Sequence, residues 1–279
     1  MLIFCIILFL VFIFSPTPTV KKKYHFVTPS GRTYNLFTDM LSQPHILIAG
    51  ATGSGKSVVI NGLIDTLLYR FPFDKEHGAE LILVDPKKVE LSQYKFLPHT
   101  LAHAAGYDPD AWVSALQRAV STMESRYNAM AKQGLKMYSG SDLYVVIDEW
   151  ASIYKSVKGK ECYRLLMRLT SEGRATRVHV ILVARVPKAN IIPTEIRENF
   201  SARLCLFTNS ATESRVIMNA NGCEDLPDPR TAGYALGYYV LPGKNNTTLY
   251  NIPYVKEEEI ESNLEWWKDQ MRKNHMRVE

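Results

Sequence analysis

Residues 50 to 57, Gly50-Ala51-Thr52-Gly53-Ser54-Gly55-Lys56-Ser57, fit the pattern G-x-x-x-x-G-K-[ST]. These residue types suit phosphate chemistry. Glycines at this spacing let successive backbone N–H groups point into one concavity that holds a phosphate chain. A helix opening near Lys56 aims its positive dipole end at the same anion. The Lys56 ammonium would reach the β- and γ-phosphates, and the Ser57 hydroxyl would ligate Mg²⁺. With Val58 beginning the helix, residues 50 to 58 form the expected nucleotide-binding set, and ATP with Mg²⁺ is the implied cofactor.

A second chemical pair stands downstream. The apolar run Leu143-Tyr144-Val145-Val146-Ile147 ends in Asp148-Glu149. Alone, two carboxylates after an apolar strand are often a solvated strand end. After a phosphate loop they read as the Walker B pattern, with Asp148 in the Mg²⁺ shell and Glu149 polarising the attacking water as general base.

These groups need rigid elements behind them. Ile46 to Ala49 is a short apolar strand into the loop, and Val59, Leu63 and Leu67 recur at helical spacing until Pro72. Leu81 to Val84 is a buried strand closed by Asp85-Pro86-Lys87, and residues 88 to 107 read as loop-rich. Asp108-Pro109 starts a helix whose stripe is Trp112, Leu116, Ala119, Met123, Tyr127 and Met130, with Gly134 as its cap. Further elements are a helix over Cys162 to Ala175, strands over Val178 to Ala184, Ala202 to Thr208 and Tyr234 to Leu241, and an amphipathic helix over Lys256 to Met276. Apolar strands alternating with helices predict an α/β fold with a mainly parallel sheet covered on both faces.

The chain of 279 residues can bury a full core, and its net charge of +5 permits a nucleic-acid or acidic-lipid partner without demanding one. Four dispersed cysteines make neither a disulfide framework nor a zinc site and fit a reducing compartment. Residues 1 to 14 are wholly apolar, and Lys21-Lys22-Lys23 follow. Extended to residue 20, the segment is just long enough to cross a bilayer, so it reads as a membrane anchor with the rest on the cytoplasmic face. A signal peptide is the rival reading, without a basic leading region or a small-residue cleavage site. The abrupt start at Met1 is compatible with a natural chain that begins further upstream. Residues 24 to 44 read as extended, with a hairpin turning at Ser30-Gly31. The expected division is 1–20 anchor, 21–44 basic linker and hairpin, 45–255 ATPase domain, and 256–279 C-terminal helix.

The chain resembles the motor domain of the FtsK/SpoIIIE family of DNA translocases. The stretches that carry the likeness are Pro44 to Ser57, Leu83 to Lys87, Glu90 to Tyr94, Met123 to Tyr127, Val146 to Ala151, Gly173 to Ala175 and Ser214 to Met218. The resemblance implies a RecA-like P-loop NTPase that assembles as a ring, a hexamer, around double-stranded DNA. ATP would then sit between subunits, completed by an arginine in trans. Arg174, Arg203 and Arg215 fall where the family has arginine, with Arg174 or Arg215 the candidate finger. After the strand ending at Val183 the family shows Thr-Gln-Arg-Pro, whereas here stand Ala184-Arg185-Val186-Pro187. Arg185 is therefore the candidate replacement for the glutamine that senses the γ-phosphate. Sequence-independent DNA contacts are expected from Lys155, Lys158 and Lys160 in the loop after Walker B, and from Lys188. The length is expected to leave no room for the family's C-terminal DNA-reading module. That suggests a motor of a mobile element, plasmid or phage, with a relaxase or a secretion-channel protein as partner. An ATPase for protein export, or a nucleotide-gated scaffold with little hydrolysis, is the alternative.

Overall fold

The computed structural model describes residues 26–27, 33–34, 36–70, 78–185, 187–200, 202–240, 247–252 and 257–273. The anchor over 1–20, the lysines at 21–23, the turn at Ser30-Gly31 and Val186 lie outside them. Among the described residues no helix is long and apolar enough to cross a membrane.

Eight strands form the main sheet. In chain order they are β3 (His45–Ala49), β4 (Ala79–Asp85), β5 (Thr100–Ala105), β6 (Asp142–Ile147), β7 (Val178–Ala184), β8 (Ala202–Leu206), β9 (Ala235–Val240) and β10 (Thr247–Ile252). They lie in the order β10-β9-β8-β3-β7-β6-β4-β5. The run from β8 to β5 is parallel throughout, while β9 is antiparallel to β8 and β10 to β9. A separate antiparallel pair, β1 (Phe26–Val27) and β2 (Thr33–Tyr34), falls within the stretch expected to be a hairpin, whose turn lies outside the described residues.

Strand alternation sorts the core into two halves. Leu47, Ile82, Val145, Ile147 and Leu182 face one side, with Trp112, Leu116 and Leu166 packed on them. Ile46, Ile48, Leu83, Val146 and Val183 face the other, covered by α1 (Leu36–Leu41) and α2 (Lys56–Arg70). Gly62 lets these two helices touch, because a Cβ there would stand 2.3 Å from the Phe37 ring. The C-terminal helix α9 (Glu257–Lys273) lies on α2 through Ile260 and Leu264, and Asn263 donates to Asp65 at 2.7 Å. Between them in the chain come α3 (Pro109–Gln133), α4 (Trp150–Tyr154), α5 (Gly159–Glu172), α6 (Thr194–Asn199), α7 (Ala211–Met218) and α8 (Pro229–Ala232).

Several expectations change. Residues 36 to 41 are helical rather than extended, since Leu36, Phe37, Met40 and Leu41 reach the core only at helical spacing. The loop-rich stretch 88 to 107 contains β5, which among the described residues is the end strand of the sheet and is only partly buried, so its pattern carries no continuous apolar run. β10 pairs along β9 where the sequence showed no strand. Helix α5 starts at Gly159, which places Lys160 inside it. In α3 the Asp108 side chain accepts from Ala111 N at 3.0 Å and Gly134 takes the left-handed cap, both as expected. The stripe, however, runs through Arg126 rather than Tyr127. Arg126 is 5% exposed and donates to Glu80, Thr176 O and Arg177 O, while Tyr127 sits at the rim and donates to Glu172 O.

Candidate nucleotide site

Register brings the chemistry to one edge. Ala49 is paired with Ala184 and Cys205, Ile147 with Leu182, and Val84 with Ile147. Gly50, Arg185, Asp148 and Asp85 therefore leave the sheet within a residue or so of one line, at the carboxyl ends of parallel strands. Ligands of open α/β sheets bind at that edge.

The loop is tied down from beneath. Gly50 N donates to Ala184 O, Ala51 N to Phe207 O at 2.7 Å, and Ser54 N to Ala51 O. Gly50 is forced by space, because a Cβ would stand 2.5 Å from Ser54 Oγ and 2.9 Å from Leu206 Cβ. Gly53 and Gly55 carry φ of 77° and 98°, which only glycine takes without strain. The amides of Gly50, Ala51 and Ser54 thus anchor the loop, and the first-turn amides of α2, orphaned by helix geometry, are left for an anion.

Lys56 curls onto its own loop and donates to Gly50 O at 2.9 Å and Ala51 O at 2.6 Å. Burial lowers its ammonium to about 8, against the pull of Glu149 and Asp148. A bound phosphate chain would restore the charge. Ser57 Oγ donates to Glu90 Oε1 at 2.7 Å. Asp148 is raised to about 6, first by burial and then by the Asp85, Glu90 and Glu149 carboxylates. One hydroxyl beside crowded carboxylates suits Mg²⁺, which takes one or two protein ligands and otherwise phosphate and water oxygens. Bound there between Ser57 and Asp148, the ion would neutralise phosphate charge.

Glu149 adopts a left-handed conformation with φ of 53°. A continued strand would send Asp148 and Glu149 to opposite faces. The turn at Glu149 instead puts both in one cleft of about 280 Å³ with Thr52, Lys56, Ser57 and Arg185. Strained backbone of this kind clusters at functional sites. Lys87 Nζ holds Glu149 Oε2 at 2.5 Å. Buried Asp85 shapes that approach by accepting from the amides of Lys87, Lys88 and Leu91. Sequence reasoning gave no role to Lys87, Glu90 or Asp85, although Asp85-Pro86-Lys87 and Glu90 stood among the matched stretches. Arg185 donates Nε to Thr52 Oγ1 at 2.5 Å, so the unusual residue does reach the phosphate loop.

Val58 lines another cleft on the far side of the loop, of about 450 Å³, with Gly53, Gly55, Arg230 and Tyr234. The sequence offered no signal for Arg230 or Tyr234. Their placement depends on β9 returning beside β8.

The candidate trans arginines lie in different settings. Arg174 is exposed, just before β7, whereas Arg185 follows β7; seven residues separate the two ends by about 23 Å. Arg174 lines a cleft at the opposite edge with Asp142, Arg177 and His179 and so stands far from the nucleotide of its own chain. Arg215 is exposed and donates to Asn221 Oδ1 at 3.1 Å. Arg203 is committed inward, donating to Phe200 O, Ile217 O and Arg197 O. Of the lysines, Lys155 and Lys188 line a cleft next to Glu149. Lys158 is paired with Asp110 at 3.3 Å and Glu161 at 3.4 Å, and Lys160 is exposed on α5.

Residues 24–219 match the FtsK/SpoIIIE family. The chain is 31% identical over 253 residues to a DNA translocase FtsK of Staphylococcus epidermidis, a match covering 84% of this chain and 30% of that protein. It is 32% identical over 246 residues to a DNA translocase FtsK of Helicobacter pylori, covering 84% and 28%. The chain thus spans under a third of these relatives. Among solved structures, the cytoplasmic domain of the Thermomonospora curvata Type VII secretion ATPase EccC aligns with a TM-score of 0.69 at 21% identity, over 90% of this chain and 32% of that one. The pCW3 conjugation coupling protein TcpA with ATPγS aligns at 0.66 and 21% identity, over 91% and 73%. At such identities the likeness speaks for the fold, which is the RecA-like P-loop architecture.

Proposed function

The chain belongs to the FtsK/SpoIIIE family of P-loop ATPases, and on that premise we propose that it is an ATP-hydrolysing motor that moves double-stranded DNA. One observation carries the reading: the phosphate loop, Asp148 and Glu149 meet in one cleft at the carboxyl edge of the sheet. The first-turn amides of α2 would hold the triphosphate, and the cleft lined by Val58, Tyr234 and Arg230 would take the base. Lys56 leaves the carbonyls of Gly50 and Ala51 for the β- and γ-phosphates. Glu149 takes the proton of the attacking water, and Arg185 meets the γ-phosphate in place of a glutamine.

The subunits form a ring in which Arg174 or Arg215 completes the neighbour's site. The exposure of both, and the distance of Arg174 from the nucleotide of its own chain, support that role. Lys155, Lys158, Lys160 and Lys188 are the candidate contacts to DNA phosphates, with Lys158 exchanging its exposed pairs with Asp110 and Glu161 for a phosphate. The work is that of a mobile element at the cytoplasmic face of a membrane, with residues 1–20 as anchor.

Steady-state ATPase assays with and without duplex DNA test this. Lys56→Ala should abolish nucleotide binding or turnover, and Glu149→Gln should bind ATP without hydrolysing it. Hydrolysis indifferent to duplex DNA would point to the export ATPase reading, and ATP binding without turnover to the scaffold. Undiminished turnover in Glu149→Gln would remove Glu149 from the general-base role.

A further inference from the structure

Next to Glu149, and sharing Thr52, Lys87 and Arg185 with the nucleotide cleft, lies a second cavity of about 440 Å³. Its walls carry four cations, Lys87, Lys155, Arg185 and Lys188, against one carboxylate, Glu149. That carboxylate is already paired with Lys87. Among the described residues no carboxylate pairs with Lys155, Arg185 or Lys188.

The cavity wall is braced. Trp150, fully buried, donates Nε1 to Ile191 O at 2.9 Å, and the amides of Ile191 and Ile192 both donate to Lys188 O at 2.9 Å. The turn bearing Lys188 is thereby tied to α4, which ends at Lys155. Cations gathered on concave walls repel one another and focus a positive potential, and an anion between them relieves that repulsion. Ser152 adds a hydroxyl to the same wall. A tetrahedral oxyanion with its water shell fits the volume.

We propose that this cavity is a second phosphate site, which holds a phosphate group other than those of the bound nucleotide. It adjoins the nucleotide cleft through Thr52, Lys87, Glu149 and Arg185, and two of its lining lysines, Lys155 and Lys188, are among those expected to meet DNA phosphates. The shared chemistry is a phosphate anion bound by Lys155 and Lys188, with Arg185 on the wall shared with the nucleotide cleft. Where that phosphate comes from rests on the hydrolysis reading; its binding does not.

Orthophosphate is titrated into the full chain saturated with the imido analogue of ATP and Mg²⁺, and binding is followed by phosphorus NMR line broadening. With the γ position filled, the site should still bind. The double substitution Lys155→Gln/Lys188→Gln should weaken binding about tenfold, or about 1.4 kcal/mol, while Lys155→Arg/Lys188→Arg should retain it. Loss of orthophosphate binding when the analogue is present, or equal binding by the Gln variant, overturns the site. Saturating short duplex DNA separates the sources. Displacement of orthophosphate identifies a backbone phosphodiester as occupant, and co-binding identifies the hydrolysis product. If the analogue itself fails to bind, the nucleotide reading falls, and comparing parent with Gln variant without it still decides the phosphate site.

Discussion

Replacing Asp148 with asparagine should stabilise the nucleotide-free protein while removing the proposed Mg²⁺ ligand. Asp148 is 8% exposed, and its carboxyl is raised from 3.8 to about 6 by burial, then by Asp85, Glu90 and Glu149, with Lys87 opposing. Between those values the native state holds a proton that the unfolded chain has lost. Stability therefore falls as pH rises through that window, and the full cost is present above about pH 6. The gap converts to at most about 3 kcal/mol. Burying the asparagine amide has its own cost, so the expected net gain is about 1–2 kcal/mol. For a chain of this size that is roughly 2–8 °C in Tm. Thermal scans in EDTA without nucleotide at about pH 7.5 should show the gain, and scans at about pH 3.5, where both forms are neutral, should not. Excess Mg²⁺ and ATP should reverse the order by stabilising the parent alone. An asparagine variant that melts at or below the parent at neutral pH, or whose advantage persists undiminished in acid, refutes the reasoning.

Other perturbations separate loop geometry from fold stability. Gly50→Ala puts a methyl group 2.5 Å from Ser54 Oγ and should weaken ATP binding by at least about tenfold. Gly134→Ala meets nothing within 4 Å but must hold φ of 64°, so it should cost about 1 kcal/mol in chemical denaturation and leave ATP binding unchanged. Arg126→Ala removes a buried guanidinium that donates to two carbonyls and to Glu80; unfolding should become easier by about 3 kcal/mol. Its contacts are at the sheet edge away from the phosphates, so turnover measured well below the melting point should change less than about twofold.

The local signals were fully legible in order and type. Gly50 to Ser57, the apolar strands at 46–49, 81–84, 143–147 and 178–184, and Asp108 with Gly134 as helix caps all lie where their residue types predict. Each is fixed by short-range geometry: positive φ at glycine, a side-chain acceptor at a helix start, or an unbroken apolar run for a strand buried on both faces. β5 and β10 were not legible, because one lies partly exposed at the sheet edge and the other has a mixed, partly exposed face. Arg126 was not legible either, because a guanidinium at a core position is satisfied by carbonyls some fifty residues away in sequence.

The sequence by itself determined a phosphate-loop pattern at residues 50–57 and a carboxylate pair at Asp148-Glu149. Only the tertiary structure decided what those groups face. Ser57 meets Glu90 across 33 residues, Glu149 meets Lys87 across 62, and Thr52 meets Arg185 across 133. Such pairings follow from the order in which parallel strands are laid beside β3, and no local spacing in the chain encodes that order.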